Sequence, residues 1–478
     1  MSRRATHLAT RLATHLATHL ATRLATALVW APLLLASAPV QANPLDYFGF
    51  GARGPGMGNA QVALADDFSA NYYNPAGLAT RDALQLQLGY TYVDLALALN
   101  GYDLGVDGVR GFQGGLVVPG DVWGHRLAVS LGLYMPDERI TRLRALPEAQ
   151  PRFALYDNHP QRIVLTTSVA FELLVDTLYV GLGLTYLSDT KGQLDVTGVV
   201  DLRDAGGTTL QTAVDVDFVA ARYPSAGIVW KPNDNLRIGL AYREEFDLTL
   251  DIGVVVNGDI VLNGASDSPT TLVPNARLEV ASKNSNLFAP RQLTLGVAWS
   301  KMQEDQAHPC WTLTAELGWY QWSRFKTPTA FLTTSLDAGT LPLSIPENPV
   351  PLSPDFSDIL VPRLGGEVFL YNSENFDLQA RAGIYWEPTP APSQRGDTNF
   401  VDGDKFGFGL GLTLGFKDLG ALLARPFYLD LAATFVTMPE RSHTKLDPAD
   451  PTGSYVSSGS FFGFATSLRL DFGGEEAP

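Results

Sequence analysis

Few groups of residues in this 478-residue chain have the types and spacing that catalysis or cofactor binding requires. The run Gly54-Pro55-Gly56-Met57-Gly58 resembles a phosphate-binding loop, but Pro55 lacks an amide donor and no lysine follows. The pair Asp66-Asp67 offers too few oxygens for calcium. No Gly-x-Ser-x-Gly sequence is present, and no serine, histidine and acid can be grouped by spacing. The sequence therefore predicts no enzyme activity, no metal site and no cofactor.

Composition narrows the class of protein further. Lys and Arg number 34 against 50 Asp and Glu, so the chain is acidic and lacks the basic face that binding of nucleic acid needs. The single cysteine, Cys310, cannot form a disulfide framework or a multi-cysteine metal site. The 45 glycines, 17 tyrosines and 24 phenylalanines favour sheets over helix bundles.

The N-terminal region reads as a removable targeting segment. Residues 5–28 repeat the units ATHL, ATRL and ATAL without any acid, and an apolar stretch from Ala27 to Val40 follows. Small residues lie three and one positions before a cut after Ala42, so we interpret residues 1–42 as a signal peptide with a low-complexity leader. The remaining chain holds no run of 18 apolar residues, so a passage through a membrane would have to use strands.

From about residue 81 onward, large apolar residues alternate with small or polar ones, which is the period of a β-strand. In Leu84 to Tyr92, leucine and tyrosine share one face while glutamine, glycine and threonine share the other. The period predicts fourteen strands, at residues 84–99, 110–118, 125–135, 163–173, 177–188, 224–231, 235–247, 291–301, 311–325, 362–371, 376–386, 405–416, 426–437 and 460–472.

The connections between these strands alternate in length. Turns as short as residues 119–124 alternate with loops as long as residues 136–162. An even strand number, with short turns at one end and long loops at the other, is typical of an outer-membrane barrel. Aromatic residues near strand ends, such as Trp386, would then lie at the membrane interfaces. Further alternation in residues 194–222 and 248–263 predicts hairpins that extend beyond the membrane.

The segment before the predicted wall, residues 43–80, lacks sustained alternation. A glycine-rich stretch is followed by small residues around Asp66-Asp67 and then by Asn74-Pro75-Ala76. This order resembles the N-terminal hatch of the long-chain fatty acid transporter family of Gram-negative outer membranes, the FadL/TodX type. Weaker similarities to the same family occur later in the chain, at residues 288–296, 319–325 and 381–390.

The resemblance implies an all-β protein, with a barrel of fourteen antiparallel strands at residues 81–472. The hatch at residues 43–80 would plug the lumen, and its tripeptide Asn74, Pro75 and Ala76 would take part in gating. Residues 473–478 would form a C-terminal tail, a departure from the family, whose members commonly end on an aromatic residue.

The resemblance also implies capture of a hydrophobic ligand near the outer surface and a sideways exit beside a kinked third strand. Gly132 and Pro136 would supply that kink, because glycine permits a bend and proline cannot donate to the ladder. An ordinary strand end is the alternative.

Charged residues on the lumen-facing parity could meet a ligand. Arg381, and after it Arg363, could pair with the carboxylate of a fatty acid. Barrels also fill their interiors with structural ion pairs, and this interpretation is the favoured one. The lumen-facing charged residues are Arg237, Arg243, Glu316, Arg363, Glu367 and Arg381.

The resemblance, together with these patterns, implies passive uptake of hydrophobic small molecules across the outer membrane of a Gram-negative bacterium. The expected partners are the ligand, outer-membrane lipid and lipopolysaccharide, and the barrel assembly machinery, with the chain acting as a monomer. A barrel of the same family that serves as a scaffold or secretion-system subunit is the main alternative. A hydrophilic porin and a soluble all-β protein are weaker ones.

Overall fold

The computed structural model describes residues 48–137, 150–157, 162–201, 209–262, 270–302, 309–327, 331–337, 353–396, 398–417 and 426–472. The predicted leader (residues 1–42), the first residues of the predicted hatch (43–47) and the predicted tail (473–478) lie outside the described residues. Among the helices that are described, none has the length and apolar character needed to cross a membrane.

Strands account for most of the described chain, as the alternating pattern predicts. The helices are short: Arg53–Gly56, Ala70–Tyr73 and Ala154–Asp157, with 3₁₀ turns at Pro75–Thr80 and Trp322–Arg324. The strands are β1 (Leu84–Leu99), β2 (Tyr102–Asp103), β3 (Val109–Val122), β4 (His125–Pro136), β5 (Val164–Leu174), β6 (Leu178–Asp201), β7 (Thr209–Asn233), β8 (Leu236–Arg243), β9 (Phe246–Leu262), β10 (Thr270–Ala289), β11 (Gln292–Met302), β12 (Pro309–Tyr320), β13 (Phe331–Asp337), β14 (Ile359–Asn372), β15 (Phe376–Glu387), β16 (Lys405–Phe416), β17 (Phe427–His443) and β18 (Tyr455–Phe472).

Fourteen of these strands form a closed antiparallel ring, which confirms the predicted fold class and strand number. The ring closes because β1 pairs with β18 along one edge and with β3 along the other. A closed ring satisfies every backbone donor and acceptor of the wall, which a lipid-embedded sheet requires. The ring consists of β1, β3, β4, β5, β6, β7, β8, β11, β12, β14, β15, β16, β17 and β18.

Several long connections form strands of their own, as the alternation within them predicts. Strands β6 and β7 have 24 and 25 residues, whereas about 10 residues suffice to cross a membrane. Strands β9 and β10 form a hairpin within the predicted loop, and β9 also pairs in parallel with the distal part of β6. The wall strand β8 is shorter than predicted, because residues 244–245 interrupt the run before β9 begins.

The two faces of the wall strands follow the predicted parity. On β1, Leu86 and Leu88 are exposed on the outer face, while Gln85 and Gln87 are buried on the inner face. Hydrocarbon solvates the large apolar side chains, and the polar side chains find hydrogen-bond partners in the lumen.

The inner face changes character along the barrel axis. It is polar near the short turns, rich in glycine at mid-height, and apolar near the long loops. We call the apolar part the apolar section of the lumen. Its buried side chains include Leu95, Leu97, Val109, Val164, Leu187 and Phe461.

Two loops meet over the apolar section. Arg152 N donates to Asn399 O at 3.0 Å, and Val401 N donates to Arg152 O at 2.7 Å. The short helix that follows places the Tyr156 ring 5.2 Å from that of Phe461. Folded chain from these two loops therefore lies over part of the apolar section.

Candidate functional site

The N-terminal segment, residues 48–80, lies inside the barrel and is almost entirely buried. Phe50, Ala60, Asn74 and Leu78 have no exposed surface. Small residues and glycines let this segment pack its backbone closely against the wall. We call residues 48–80 the plug.

The plug contacts the wall at glycines on its inner face, and these glycines lie opposite one another on paired strands. Four such sites ring the lumen. The cross-strand sets are Gly115 with Gly132, Gly181 with Gly227, Gly239 with Gly296, and Gly365 with Gly383 and Gly409. A Cβ atom added at any of these nine positions would lie within 4 Å of a plug atom, so glycine permits the close approach.

The tripeptide Asn74-Pro75-Ala76 occupies the pair formed by Gly181 and Gly227. Asn74 caps the 3₁₀ turn Pro75–Thr80, accepting from Ala76 N at 3.1 Å. Its amide nitrogen donates to Val62 O within the plug at 2.7 Å and to Ile228 O on β7 at 3.1 Å. A methyl group added at Gly227 would overlap Asn74 Oδ1. The tripeptide is thus a rigid clamp between the plug and the wall.

Two further sites hold the plug by its backbone. The Val62 carbonyl and the Ala63 backbone lie against Gly239, and Val62 N donates a short hydrogen bond to the Glu316 carboxylate. Three strands further round the ring, on β14, a methyl group at Gly365 would lie 2.6 Å from the Met57 carbonyl oxygen.

Buried charges join the plug to strands β14, β15 and β17. Arg53 donates to both oxygens of Glu367, at 2.7 and 3.3 Å, and to Asp66 at 2.9 Å. Arg381 donates to Glu367 at 3.1 Å and to Asp430 at 2.9 Å. We call these five residues the charge cluster.

The predicted ligand contact Arg381 therefore lies in a structural network. Its third nitrogen donates to Gln379 at 3.1 Å, and its side chain is 4% exposed. A ligand carboxylate reaching Arg381 would have to compete with Glu367 and Asp430.

Asp66 stays ionised over a wide pH range. Burial raises the pKa of this carboxyl, but Arg81 and Arg53 outweigh burial and bring the pKa down to about 2. The stabilisation that Asp66 contributes is therefore complete above its unfolded value near 4 and is lost only as the pH falls towards 2.

Arg363 borders a small cavity between the plug and the wall. Its guanidinium donates to Tyr320 Oη at 2.7 Å and is 8% exposed. Tyr72, Arg243 and Glu316 also line the cavity, whose volume is about 30 Å³. A space of this size holds a few waters and no hydrocarbon.

The predicted kink residues lie in a regular part of the wall. β4 pairs with β3 and with β5 through Gly132 without a register shift, and Pro136 ends the strand opposite Gly111. The inner face of Gly132 meets the Phe50 ring, at 3.0 Å from the position of an added methyl group. Close approach of the plug accounts for this glycine.

The sequence pattern did not reveal the partners of the plug. Arg53 was not singled out, although it is the plug arginine that reaches Glu367, a residue with lumen-facing parity. The glycine sets were also missed, but glycine at inner-face parity on neighbouring strands is a signal that could have located them.

Known proteins share the fold of this chain. Residues 33–445 match the family described as outer membrane protein transport protein (OMPP1/FadL/TodX). Among solved structures, a Pseudomonas aeruginosa FadL homologue is similar with a TM-score of 0.53 and 16% identity, over 91% of this chain and 99% of that one. The CymD monoaromatic hydrocarbon channel is similar with a TM-score of 0.52 and 16% identity, over 91% and 100%. No curated protein sequence matches the chain.

Proposed function

Because this chain belongs to the OMPP1/FadL/TodX family of outer membrane transport proteins, we propose that it takes up hydrophobic small molecules passively, by capture, plug rearrangement and lateral exit. Its place is the outer membrane of a Gram-negative bacterium, and the family transports hydrophobic compounds. Fatty acids and hydrocarbons, including aromatic ones, are the proposed substrates.

The apolar section of the lumen is the observation that carries the proposal. A barrel that passes ions or sugars needs a polar lumen throughout, whereas here valine, leucine and phenylalanine line the long-loop end. Apolar side chains favour an apolar ligand that leaves the polar outer surface. We propose that capture occurs here, beneath the joined loops.

Passage beyond the apolar section requires the plug to move. The cavity beside the plug is water-sized, and the glycine sets bring plug and wall into contact around the lumen. Movement of the plug, including its clamp at Asn74 and Pro75, is therefore part of the proposed mechanism.

Lateral exit is supported by the polar character of the lower lumen. An apolar molecule moving straight down would have to cross buried polar side chains and would lose free energy of transfer. Sideways exit into the membrane near β4 avoids that cost. The polar side chains near the short turns include Gln85, Gln87, Glu172, Asp377, Asp430 and Arg469.

We retain Arg363 as a proposed contact for ligands that carry a carboxylate, since it borders the cavity and its Nε has no hydrogen-bond partner. Arg381 could serve only after the charge cluster rearranges.

A scaffold or secretion-system subunit is the second candidate, because the lumen is filled by the plug. A stable protein partner recovered with the barrel, together with no uptake of any hydrophobe, would favour this function.

Uptake by cells tests the proposal. Cells lacking their own transporter should take up labelled oleate or toluene when they carry this protein. The variant Asn74→Ala with Pro75→Ala should reduce uptake about tenfold, because Val62 O and Ile228 O lose their donor and the plug loses its fixed position.

The control is Asn375→Ala, in an exposed turn, which should retain parental uptake. Barrel abundance has to be equal in all strains. If the folded parent took up neither compound, the result would contradict the transport function and favour the scaffold function.

A further inference from the structure

The plug meets the wall differently at Gly115 and Gly132 than at the other glycine sets. At those sets its backbone or the hydrogen-bonded Asn74 touches the glycines. At Gly115 and Gly132 the plug contacts come from phenylalanine side chains: the nearest ring atoms of Phe68 and Phe50 lie 2.9 and 3.0 Å from the added methyl positions. Here alone among the described sets, phenylalanine rings form the seal between plug and wall.

These two rings can move without the backbone. Their centroids are 4.7 Å apart in an edge-to-face arrangement. Rotation about side-chain torsions displaces a ring while hydrogen bonds on either side hold the plug in place. Those bonds run from Gly51 N to Gln113 at 3.0 Å and from Asn71 to Ser130 at 2.7 Å.

The remaining sets are held by interactions that are costly to break. Arg53 and Glu367 are a buried bidentate pair, and the Val62 amide is bound to Glu316. Removing buried partners from one another leaves uncompensated charge or unpaired donors. These contacts make one side of the plug fixed.

The apolar section of the lumen reaches the plug at the two rings. Phe50 and Phe68 belong to the same buried apolar cluster as Val117, Val164 and Phe461. Three other apolar residues of the plug, Met57, Ala63 and Leu64, form a separate cluster with Ala298 on β11. An apolar molecule can therefore remain in apolar surroundings where the two rings meet the β3–β4 side.

The outer face of the same strands is also apolar. Phe112 and Leu131 are exposed there, on the lipid side of Gly115 and Gly132. The glycines leave the inner side of this part of the wall without side chains.

We propose that Phe50 and Phe68 form an aromatic seal, the side on which the plug is most easily displaced, and that apolar ligands pass the plug here by moving these rings. This inference rests on the proposed function and identifies the residues that control its rate. Planar or thin apolar molecules, which can slide between ring and glycine, are the ligand class that fits.

Truncation of the seal tests the inference. Phe50→Ala with Phe68→Ala should raise uptake of labelled toluene about tenfold, because no ring has to be displaced. The matched control Leu64→Ala removes a buried plug side chain from the separate cluster and should leave uptake within about twofold of the parent.

Thiol reactivity gives a second readout that does not depend on uptake. In a Cys310→Ser background, Val117→Cys should react with N-ethylmaleimide about tenfold faster when both phenylalanines are alanine, because Val117 lies two residues from Gly115 on the inner face of β3 and in the same buried cluster as the rings. Thr314→Cys, buried on the far side near Gly365, should not change.

Each result is decisive. Faster uptake with faster labelling of Val117→Cys alone supports the seal. Unchanged or slower uptake in the double variant, or equal acceleration at Thr314→Cys, overturns it while transport by the parent stands. If the parent shows no uptake, both the proposed function and the proposed seal are contradicted.

Discussion

Replacing Arg53 with methionine should lower the free energy that holds the plug in the barrel by about 3 kcal/mol, because buried Glu367 and Asp66 then lose a shared cation. The side chains of Arg53 and Glu367 are 14% and 9% exposed, so water cannot replace the lost pairing. The wall itself should remain folded, because its ladder does not involve this arginine.

Amide hydrogen exchange of residues 48–80 measures this effect, since exchange reports the free energy of local opening. Exchange in the Arg53→Met variant should be about 100-fold faster in the plug and unchanged in β1 and β18. The double variant Arg53→Met with Glu367→Gln should recover part of the lost free energy, because it also removes the uncompensated charge of Glu367.

Arg81→Met is the matched control. Arg81 lies 3.7 Å from both Asp66 and Asp471, and its side chain is 33% exposed. Partly exposed ion pairs at this long distance contribute about 1 kcal/mol or less. If Arg81→Met and Arg53→Met accelerated amide exchange in the plug equally, the claim that the charge cluster holds the plug in the barrel would be contradicted.

Adding a methyl group at Gly383 should unseat the plug and make the barrel leak. The new Cβ would overlap the backbone of Met57 and Gly58, which cannot rotate away as a side chain can. Overpacking of this kind costs about 1–3 kcal/mol, and retreat of the plug relieves it. Cells carrying Gly383→Ala should therefore admit a small hydrophilic cephalosporin faster than cells carrying the parent.

The matched pair Gly365→Ala and Gly366→Ala separates an effect on the plug from an effect on the wall. These neighbours lie on one strand with opposite faces. A methyl group at Gly365 meets the Met57 carbonyl, whereas one at Gly366 meets the flexible end of Leu313 at 3.0 Å. Only Gly365→Ala should increase entry of the cephalosporin relative to the parent. A similar increase with Gly366→Ala would assign the effect to a weakened wall.

The sequence by itself determined the wall. Alternation in segments such as Leu84–Leu99 is a local property, because successive side chains of any strand point to opposite faces. It gave the number of wall strands, the outer and inner faces, and the presence of hairpins beyond the membrane. The tripeptide Asn74-Pro75-Ala76 marked the segment that lies in the lumen through its resemblance to the family's hatch, and the structure shows that Asn74 caps a 3₁₀ turn there.

Only the tertiary structure decided which residues of the plug and the wall contact each other within the lumen. Arg53 and Glu367 are 314 residues apart, and no local pattern links them. The pairing of Gly181 with Gly227 depends on the register of β6 and β7, which hydrogen bonds along the whole hairpin establish. Arg381 has the same sequence pattern whether it awaits a ligand or binds Glu367 and Asp430, because the pattern fixes its face and the ring closure fixes its partners.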